Sequence, residues 1–306
     1  MHSKAELKNS HQNRQRLSGY LFAISATAIW SGNFIIARGL SESIPPISLA
    51  FWRWVVAVLV FLPFAWKPLM AQRDIVKKHL PYLSITALLG ITIFNTLIYF
   101  AGHTTTAINL SLISITFPIF IVILARIFFH ELFTVNKGIG IMLVVAGVAL
   151  LITRGDLPTL LNISFAIGDL WMLCAAIIFA VYSILLKSKP EQLSIRALQL
   201  STFILGLIFL FPFFIWEWAT TAPVIYDAKI VLAIIYVGVF ASLTAFVLWH
   251  KAIAAVGPSK AAMIYYTLPL FSGFLAYLFL QEEISSLHFY CLLLIVTGIL
   301  TANYKS

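Results

Sequence analysis

Long apolar runs separated by short polar breaks fill almost the whole chain. A transmembrane helix needs about 20 mostly apolar residues, and ten runs approach that length. The runs are Ser18–Arg38, Ile47–Trp66, Pro81–Gly102, Ala107–Phe129, Asn136–Thr153, Gly168–Lys187, Arg196–Trp218, Lys229–Lys251, Pro258–Gln281 and Leu287–Tyr304. Helix breakers such as Pro45, Pro190 and Gly257 fall between them. The pattern predicts an all-α integral membrane protein with ten transmembrane helices.

The second half of the chain repeats the first. At an offset of 149 residues Gly19 matches Gly168 and Pro63 matches Pro212; at an offset of 151 Pro118 matches Pro269, Glu131 matches Glu282 and Gly147 matches Gly298. We therefore divide the chain into a basic tail (1–17), a first five-helix repeat (18–153), a linker (154–167) and a second five-helix repeat (168–306). Weak internal symmetry in a polytopic membrane protein is typical of transporters, whose substrate site lies between the halves.

Composition supports a membrane protein. Hydrophobic residues make up 61% of the chain and charged residues only 10%, against roughly 25% charged residues in a soluble domain. The mean hydropathy is +0.98. The net charge of +9 sits in short loops, where it sets topology rather than forming a face for nucleic acid. The lipid bilayer is thus the expected partner, and no nucleic acid is expected.

Lysine and arginine also predict the orientation. With the N-terminus inside, sixteen of them fall on inner segments: Lys4, Lys8, Arg14, Arg16, Lys67, Arg73, Lys77, Lys78, Arg126, Lys137, Lys187, Lys189, Arg196, Lys251, Lys260 and Lys305. Only Arg38, Arg154 and Lys229 fall on outer loops. This positive-inside bias predicts cytoplasmic termini and a periplasmic linker at 154–167. Because each repeat has five spans, the second must be inverted relative to the first, an arrangement that lets a bundle present one site alternately to the two sides of the membrane.

Several local motifs occur in the order of a known family. They include Trp30 with Asn33 in the first span, Arg53 early in the second span, Phe117-Pro118 in the fourth, and Phe129-His130-Glu131 followed by Gly138 and Gly147. With the duplication, these motifs resemble the EamA family of the drug/metabolite transporter superfamily, over Ser18 to Tyr304. The resemblance implies a bacterial inner-membrane carrier of amino acids, other metabolites or organic cations. It also implies a central cavity, with spans five and ten as an outer scaffold.

Arg53 is the strongest candidate for substrate binding. It lies about six residues, or roughly 9 Å, inside the second span, between Trp52 and Trp54. A guanidinium at that depth is costly unless it faces a wet cavity or a partner, and its planar fork suits a carboxylate. The alternative is an anchor that extends outward between two interfacial tryptophans.

A second group of candidates has amide or polar-tipped aromatic side chains inside spans. They are Trp30, Asn33, Asn95, Tyr99, Tyr182, Trp249, Tyr265 and Tyr266. Such groups need partners in lipid and should point inward. Together they suit a zwitterion with an apolar side chain, or a flat cation held by ring faces. The alternative for each residue is packing between helices.

Pro118 and Pro269 lie inside the fourth and ninth spans, where each removes a helical hydrogen bond. Kinks at equivalent places in the two repeats could act as gates, and the alternative is a static packing kink. The acidic residues fall in tails, loops or span ends, and so do His103, His130, His250 and His288. The sequence therefore offers no proton carrier at mid-membrane.

The predicted function is an exporter of small metabolites, amino acids first, without catalytic residues, metal or cofactor, acting as a monomer or homodimer. No phosphate-binding loop or metal-ligand spacing is found in the sequence. Other interpretations are a carrier of nucleobases, sugars or organic cations, a lipid scramblase, or an integral membrane enzyme.

Overall fold

The structure is a computed structural model that describes residues 2–105, 110, 113–114, 116–153, 156, 158, 166–268, 270–271, 274–275 and 286–304. Its regular elements in these residues are helices. In the first half they are α1 (His2–Gly39), α2 (Pro46–Ala71), α3 (Arg73–Lys78), α4 (Leu80–Ala87), a π-helix (Leu88–Ile93), α5 (Phe94–Thr104), α6 (Thr116–Phe129) and α7 (Val135–Ile152). In the second half they are α8 (Ile167–Lys187), α9 (Ile195–Thr220), α10 (Ala228–Tyr236), a second π-helix (Val237–Thr244), α11 (Ala245–Val256), α12 (Pro258–Tyr265) and α13 (Ser286–Asn303).

Six helices are long and apolar enough to cross a membrane. They are Arg14–Ala37, Pro46–Ala71, Leu80–Thr104, Ile167–Lys187, Ile195–Thr220 and Ala228–Val256. These six coincide with the first, second, third, sixth, seventh and eighth predicted spans, which confirms a multi-pass, all-helical membrane protein. Shorter apolar helices lie at Thr116–Phe129, Val135–Leu150 and Phe289–Asn303. The total of ten spans stays a prediction.

Local sequence determines where several helices begin. Pro46 and Pro258 stand at the first position of α2 and α12, where a fixed φ suits the helix and no backbone donor is lost. Before α12 the chain turns sharply through Gly257, whose φ of 84° favours glycine. The side chain of Asp227 accepts a hydrogen bond from the amide of Ile230 (2.8 Å) and caps α10.

The most extensive helix contacts join the two halves of the chain. α7 packs on α13, α2 on α9, α1 on α11 and α5 on α8. In the first of these pairs the backbones touch, since a Cβ on Gly140 would lie 2.5 Å from the carbonyl oxygen of Gly298. The core of the molecule is therefore the interface between the halves.

A buried carboxylate joins the two halves by hydrogen bonds at one end of this interface. Glu217, near the end of α9, accepts hydrogen bonds from the amides of Ile47 (3.1 Å) and Ser48 (2.6 Å) and from the Ser48 hydroxyl (2.8 Å). The charge therefore sits at the N-terminus of α2, where the helix dipole favours an anion. At the opposite end, Gln72 exchanges hydrogen bonds with the chain just before α9, so α2 and α9 are antiparallel.

The third and eighth predicted spans each contain a π-helix, which the sequence analysis missed. The two π-helices begin at Leu88 and Val237, which are 149 residues apart. Such segments are frequent at functional sites. Asn95 follows the first π-helix and Ser242 lies within the second. The side chain of each donates a hydrogen bond to the backbone carbonyl five residues earlier.

Candidate functional site

Arg53 lies at the centre of a buried hydrogen-bonded group between the halves. Its Nε donates to Ser242 Oγ (2.5 Å), and its Nη1 donates to the Tyr99 hydroxyl (2.5 Å) and to Asn33 Oδ1 (3.4 Å). The Tyr99 hydroxyl in turn donates to Asn33 Oδ1 (3.1 Å). We call Asn33, Arg53, Tyr99 and Ser242 the Arg53 cluster. It joins α1, α2, α5 and the second π-helix.

The guanidinium of Arg53 has no carboxylate partner in the described part of the chain. Its side chain is 1% exposed, which rules out the interpretation as an outward anchor. The ion pairs among the described residues are Arg73–Asp74 and Lys137–Glu131. Nη2 of Arg53 has no hydrogen-bond partner among those residues. A buried cation with an unused donor is costly by itself, and it can offer that donor to an anion.

An aromatic cluster lies next to the Arg53 cluster. The rings are Trp30, Phe94, Phe117, Phe179, Phe246, Trp249 and Tyr265, with neighbouring centroids 4.6 to 6.4 Å apart. The indole of Trp30 is fixed by a hydrogen bond to the carbonyl of Ala241 (2.9 Å). Some of these pairs are edge-on and some are stacked, the two arrangements that aromatic pairs prefer, and the others are tilted.

A small cavity lies between these rings and the Arg53 cluster. It is lined by Trp30, Asn33, Phe94, Asn95, Ile98, Phe179 and Tyr265, and its volume is about 10 Å³. That volume is about one water molecule, so the centre is closed to any solute in this conformation.

Tyr182 and His250 form a second buried polar pair. The Tyr182 hydroxyl and His250 Nε2 are 2.7 Å apart, and His250 is 5% exposed. The sequence analysis placed His250 at a span end, and that placement is wrong because α11 continues to Val256. Lys251 therefore lies inside the helix. Its side chain is exposed, and its ammonium lies over the ring of Phe22, 5.3 Å from the ring centroid.

The remaining predicted residues occupy several environments. Asn95 and Tyr265 line the cavity, whereas Trp249 donates to Ser183 Oγ (3.2 Å) on α8. Tyr266 is fully buried, and its hydroxyl has no hydrogen-bond partner among the described residues. Pro118 is buried near the start of α6. Pro269 lies outside the described residues. A role in binding or gating stays a prediction for all of them.

Ser242 and Glu217 were not singled out from the sequence as interface residues. Ser242 stands in an apolar run like many buried serines, and only the π-helix turns it toward Arg53. Glu217 was grouped with the carboxylates at span ends. The sequence did contain a signal for His250. It lies 151 residues after Tyr99, the offset of the internal repeat, and is therefore the equivalent of that candidate residue.

Two larger pockets lie away from the central cavity. One, of about 620 Å³, is lined by residues 41–46, His103, 221–225, Asp227 and Ile230. The other, of about 270 Å³, includes Arg16, Lys187, Lys260 and Glu131. The first is bounded by predicted outer loops, and the second contains three of the predicted cytoplasmic cations.

These features define a polytopic membrane protein with a buried cationic site between its two halves. Comparison with known proteins identifies the class further. The chain belongs to the EamA-like transporter family, which matches residues 17–153 and again residues 166–304. The resemblance inferred from the sequence is therefore confirmed, and the protein is a membrane transporter rather than an enzyme.

Individual relatives agree with this assignment. An uncharacterized transporter of Archaeoglobus fulgidus is 29% identical over 257 residues, which cover 83% of this chain and 86% of that protein. The uncharacterized transporter YyaM of Bacillus subtilis is 23% identical over 292 residues, covering 94% of each chain. A solved structure named only "Crystal structure of protein" has a TM-score of 0.75 at 17% identity and covers 94% of this chain and 97% of its own. This last similarity shows a shared fold.

Proposed function

We propose that the protein exports small zwitterionic metabolites, amino acids first, across the bacterial inner membrane by alternating access. The observation that carries the proposal is the Nη2 atom of buried Arg53, which has no hydrogen-bond partner among the described residues and lies beside an aromatic cavity. In this proposal the guanidinium binds the carboxylate of the solute, and the ring faces receive its ammonium group or its apolar side chain.

Alternating access is supported by the internal correspondences of the fold. Asn33 and Tyr99 are hydrogen-bonded in the first half, and their counterparts at offsets of 149 and 151 residues, Tyr182 and His250, are hydrogen-bonded in the second. Exchange of equivalent helices thus maps one polar pair onto the other. Two inverted five-helix repeats within ten spans, with both termini cytoplasmic, would produce this correspondence.

The contact between α7 and α13 has the same symmetry. Gly140 meets Gly298, while a Cβ on Gly147 would lie 3.2 Å from the carbonyl oxygen of Cys291. Since Cys291 and Gly298 are 151 residues after Gly140 and Gly147, exchange of the repeats maps one contact onto the other. This pattern supports the proposed role of these helices as a scaffold.

A carrier of flat organic cations or nucleobases is the second candidate. The aromatic cluster favours it, because Trp30, Trp249 and Tyr265 present ring faces that attract cations or stack on bases. Arg53 disfavours a cation, since its positive charge is buried beside the same cavity. The burial of the Arg53 cluster also counts against a lipid scramblase, which needs a polar furrow open to lipid.

Counterflow in proteoliposomes tests the proposal. Vesicles with the purified protein are loaded with one unlabelled compound and supplied with the same compound labelled outside. The panel contains amino acids, the amines that result from their decarboxylation, nucleobases and quaternary ammonium compounds. We expect exchange of amino acids and at least tenfold slower exchange of the matching amines, because the amines lack the carboxylate that Arg53 binds.

Protein-free vesicles and vesicles loaded with sodium chloride are the controls. Exchange of amines or quaternary ammonium compounds without exchange of amino acids would reject the zwitterion and favour the second candidate.

A further inference from the structure

The Tyr182–His250 pair retains unused hydrogen-bonding capacity. His250 Nε2 meets the Tyr182 hydroxyl, but His250 Nδ1 has no hydrogen-bond partner among the described residues. Both side chains are buried. A buried polar atom without a partner costs free energy, so its presence in a native structure calls for an explanation.

Gln199 on α9 has the same property. Its side chain is fully buried, and neither amide atom has a partner within the described part of the chain. The rings of Phe203 and Phe246 form an edge-on pair whose centroids are 6.4 Å apart. Gln199 is one helical turn from Phe203 on α9, and His250 is one turn from Phe246 on α11.

From the Phe203–Phe246 pair, Gln199 and His250 are both displaced toward the same end of the bundle. Gln199 lies near the start of α9, and Tyr182, the partner of His250, lies five residues before the end of α8. A short loop joins that end of α8 to the start of α9. We call Tyr182, Gln199 and His250 the His250 cluster.

The His250 cluster is the uncharged counterpart of the Arg53 cluster. Arg53 corresponds at an offset of 149 residues to Thr202, whose hydroxyl is already used on the carbonyl of Gln199 (3.0 Å). The second half of the chain therefore has no guanidinium at the equivalent place. Its available groups are an amide, an imidazole nitrogen and a hydroxyl, all of which match uncharged polar groups.

The two clusters also lie at mirrored depths. Arg53 is seven residues from the start of α2, and His250 is six residues from the end of α11, so each is roughly 10 Å from a helix end. By the predicted orientation, the end near Arg53 is outer and the end near His250 is cytoplasmic.

We propose that the His250 cluster is a second binding site, reached from the cytoplasm, that receives amide or hydroxyl groups of the transported solute. This inference rests on the proposed function, and it adds a selectivity to it. Solutes with amide or hydroxyl side chains bind from the cytoplasm better than aliphatic ones of similar size. The carboxylate is then bound by Arg53 on the opposite side of the aromatic cluster.

The variant Gln199→Met tests the proposal, because it keeps the length of the side chain and removes both polar amide atoms. KM for counterflow is measured separately from each face of oriented proteoliposomes, with glutamine, threonine and leucine as probes. We expect the KM for glutamine and threonine at the cytoplasmic face to rise about tenfold, equal to the loss of one hydrogen bond of about 1.4 kcal/mol. The KM for leucine, and all values at the outer face, should change less than about twofold.

Thermal unfolding provides a second readout. Loss of unpartnered buried atoms should leave the Tm unchanged or raise it, so weaker transport with undiminished stability marks a functional role. Ser201→Ala is the matched control. It also removes a buried polar atom without a partner among the described residues, but it lies two positions along α9, about 200° around the helix.

His250→Gln is the second variant, in case Gln199→Met does not fold. Its amide can still reach Tyr182, while Nδ1 is lost, so the same side-specific change is expected. If the wild-type protein exchanges these solutes and neither variant raises the cytoplasmic KM, the second site is rejected and the proposed function stands. If the wild type exchanges no amino acid, the proposed function itself has failed.

Discussion

The Arg53 cluster and the Tyr182–His250 pair occupy equivalent places in the two halves but have different chemistry. Each contains a tyrosine hydroxyl hydrogen-bonded to a residue of the partner helix. Only the first contains a permanent charge, and that charge has no carboxylate partner in the described residues. The comparison shows that the paired geometry recurs in both halves while the electrostatics do not. Under the proposed function, a transported solute would meet different chemistry from the two sides.

Loss of the charge should have the largest effect. We expect Arg53→Ala to lower counterflow of amino acids roughly 100-fold, because truncation of a buried, hydrogen-bonded charge costs on the order of 2–5 kcal/mol. Arg53→Lys should recover little, since an ammonium cannot reproduce the planar set of donors that holds Ser242 and Tyr99 and leaves Nη2 for the solute. Initial rates in proteoliposomes with matched protein content measure both. Arg73→Ala, at an exposed arginine, is the control; undiminished counterflow in Arg53→Ala would remove Arg53 from the binding site.

The carboxylate that joins the halves should affect stability rather than binding. Glu217→Ala leaves the amides of Ile47 and Ser48 without their acceptor, and we expect a loss of about 2–3 kcal/mol, as for other buried charged hydrogen bonds. Thermal unfolding in detergent measures the loss. Glu191→Ala, in the exposed loop after α8, is the control. An equal Tm for Glu217→Ala and the wild type would show that this contact does not hold α2 to α9.

A change of pH is expected to have the smallest effect on counterflow. A protonated His250 would be a buried cation without a carboxylate partner among the described residues, which is strongly unfavourable. We therefore expect counterflow to change less than about twofold between pH 6 and pH 8 and to survive a protonophore. The deciding measurement is a pH jump across the vesicle. Uphill accumulation with matching proton flux would contradict the expectation, and its loss in His250→Gln would identify the carrier.

The fold was largely predictable because the hydrophobic pattern is strong. Apolar runs placed six membrane-capable helices to within a few residues, and the family matches the chain twice, once in each half. The π-helices left no such signal, since one extra residue per turn hardly disturbs a run that is apolar on all sides. Lys251 was mistaken for a helix end because a charge usually marks one. In this chain its long side chain extends outward instead, and five more helical residues follow.

The candidate site was only partly predictable for a related reason. Arg53 was recognisable because a cation inside a span is rare and costly. Its direction, inward rather than outward, depends on Tyr99 and Ser242, which come from other helices. Gln199 is an ordinary amide in the sequence and stands out only because it is buried without a hydrogen-bond partner among the described residues. The direction of the Arg53 side chain and the burial of Gln199 thus depend on contacts between distant segments, which local sequence patterns do not contain.

The closed aromatic cluster also has an electrical consequence. Its cavity holds about one water, so this cavity offers no hydrated path for an ion. An ion that crossed it would lose its hydration shell at a cost of tens of kcal/mol in a low-dielectric medium. The membrane potential, about 2.3 kcal/mol per charge at 100 mV, is far too small to supply that cost. In this conformation the rings that line the cavity therefore block the passage of an ion through it.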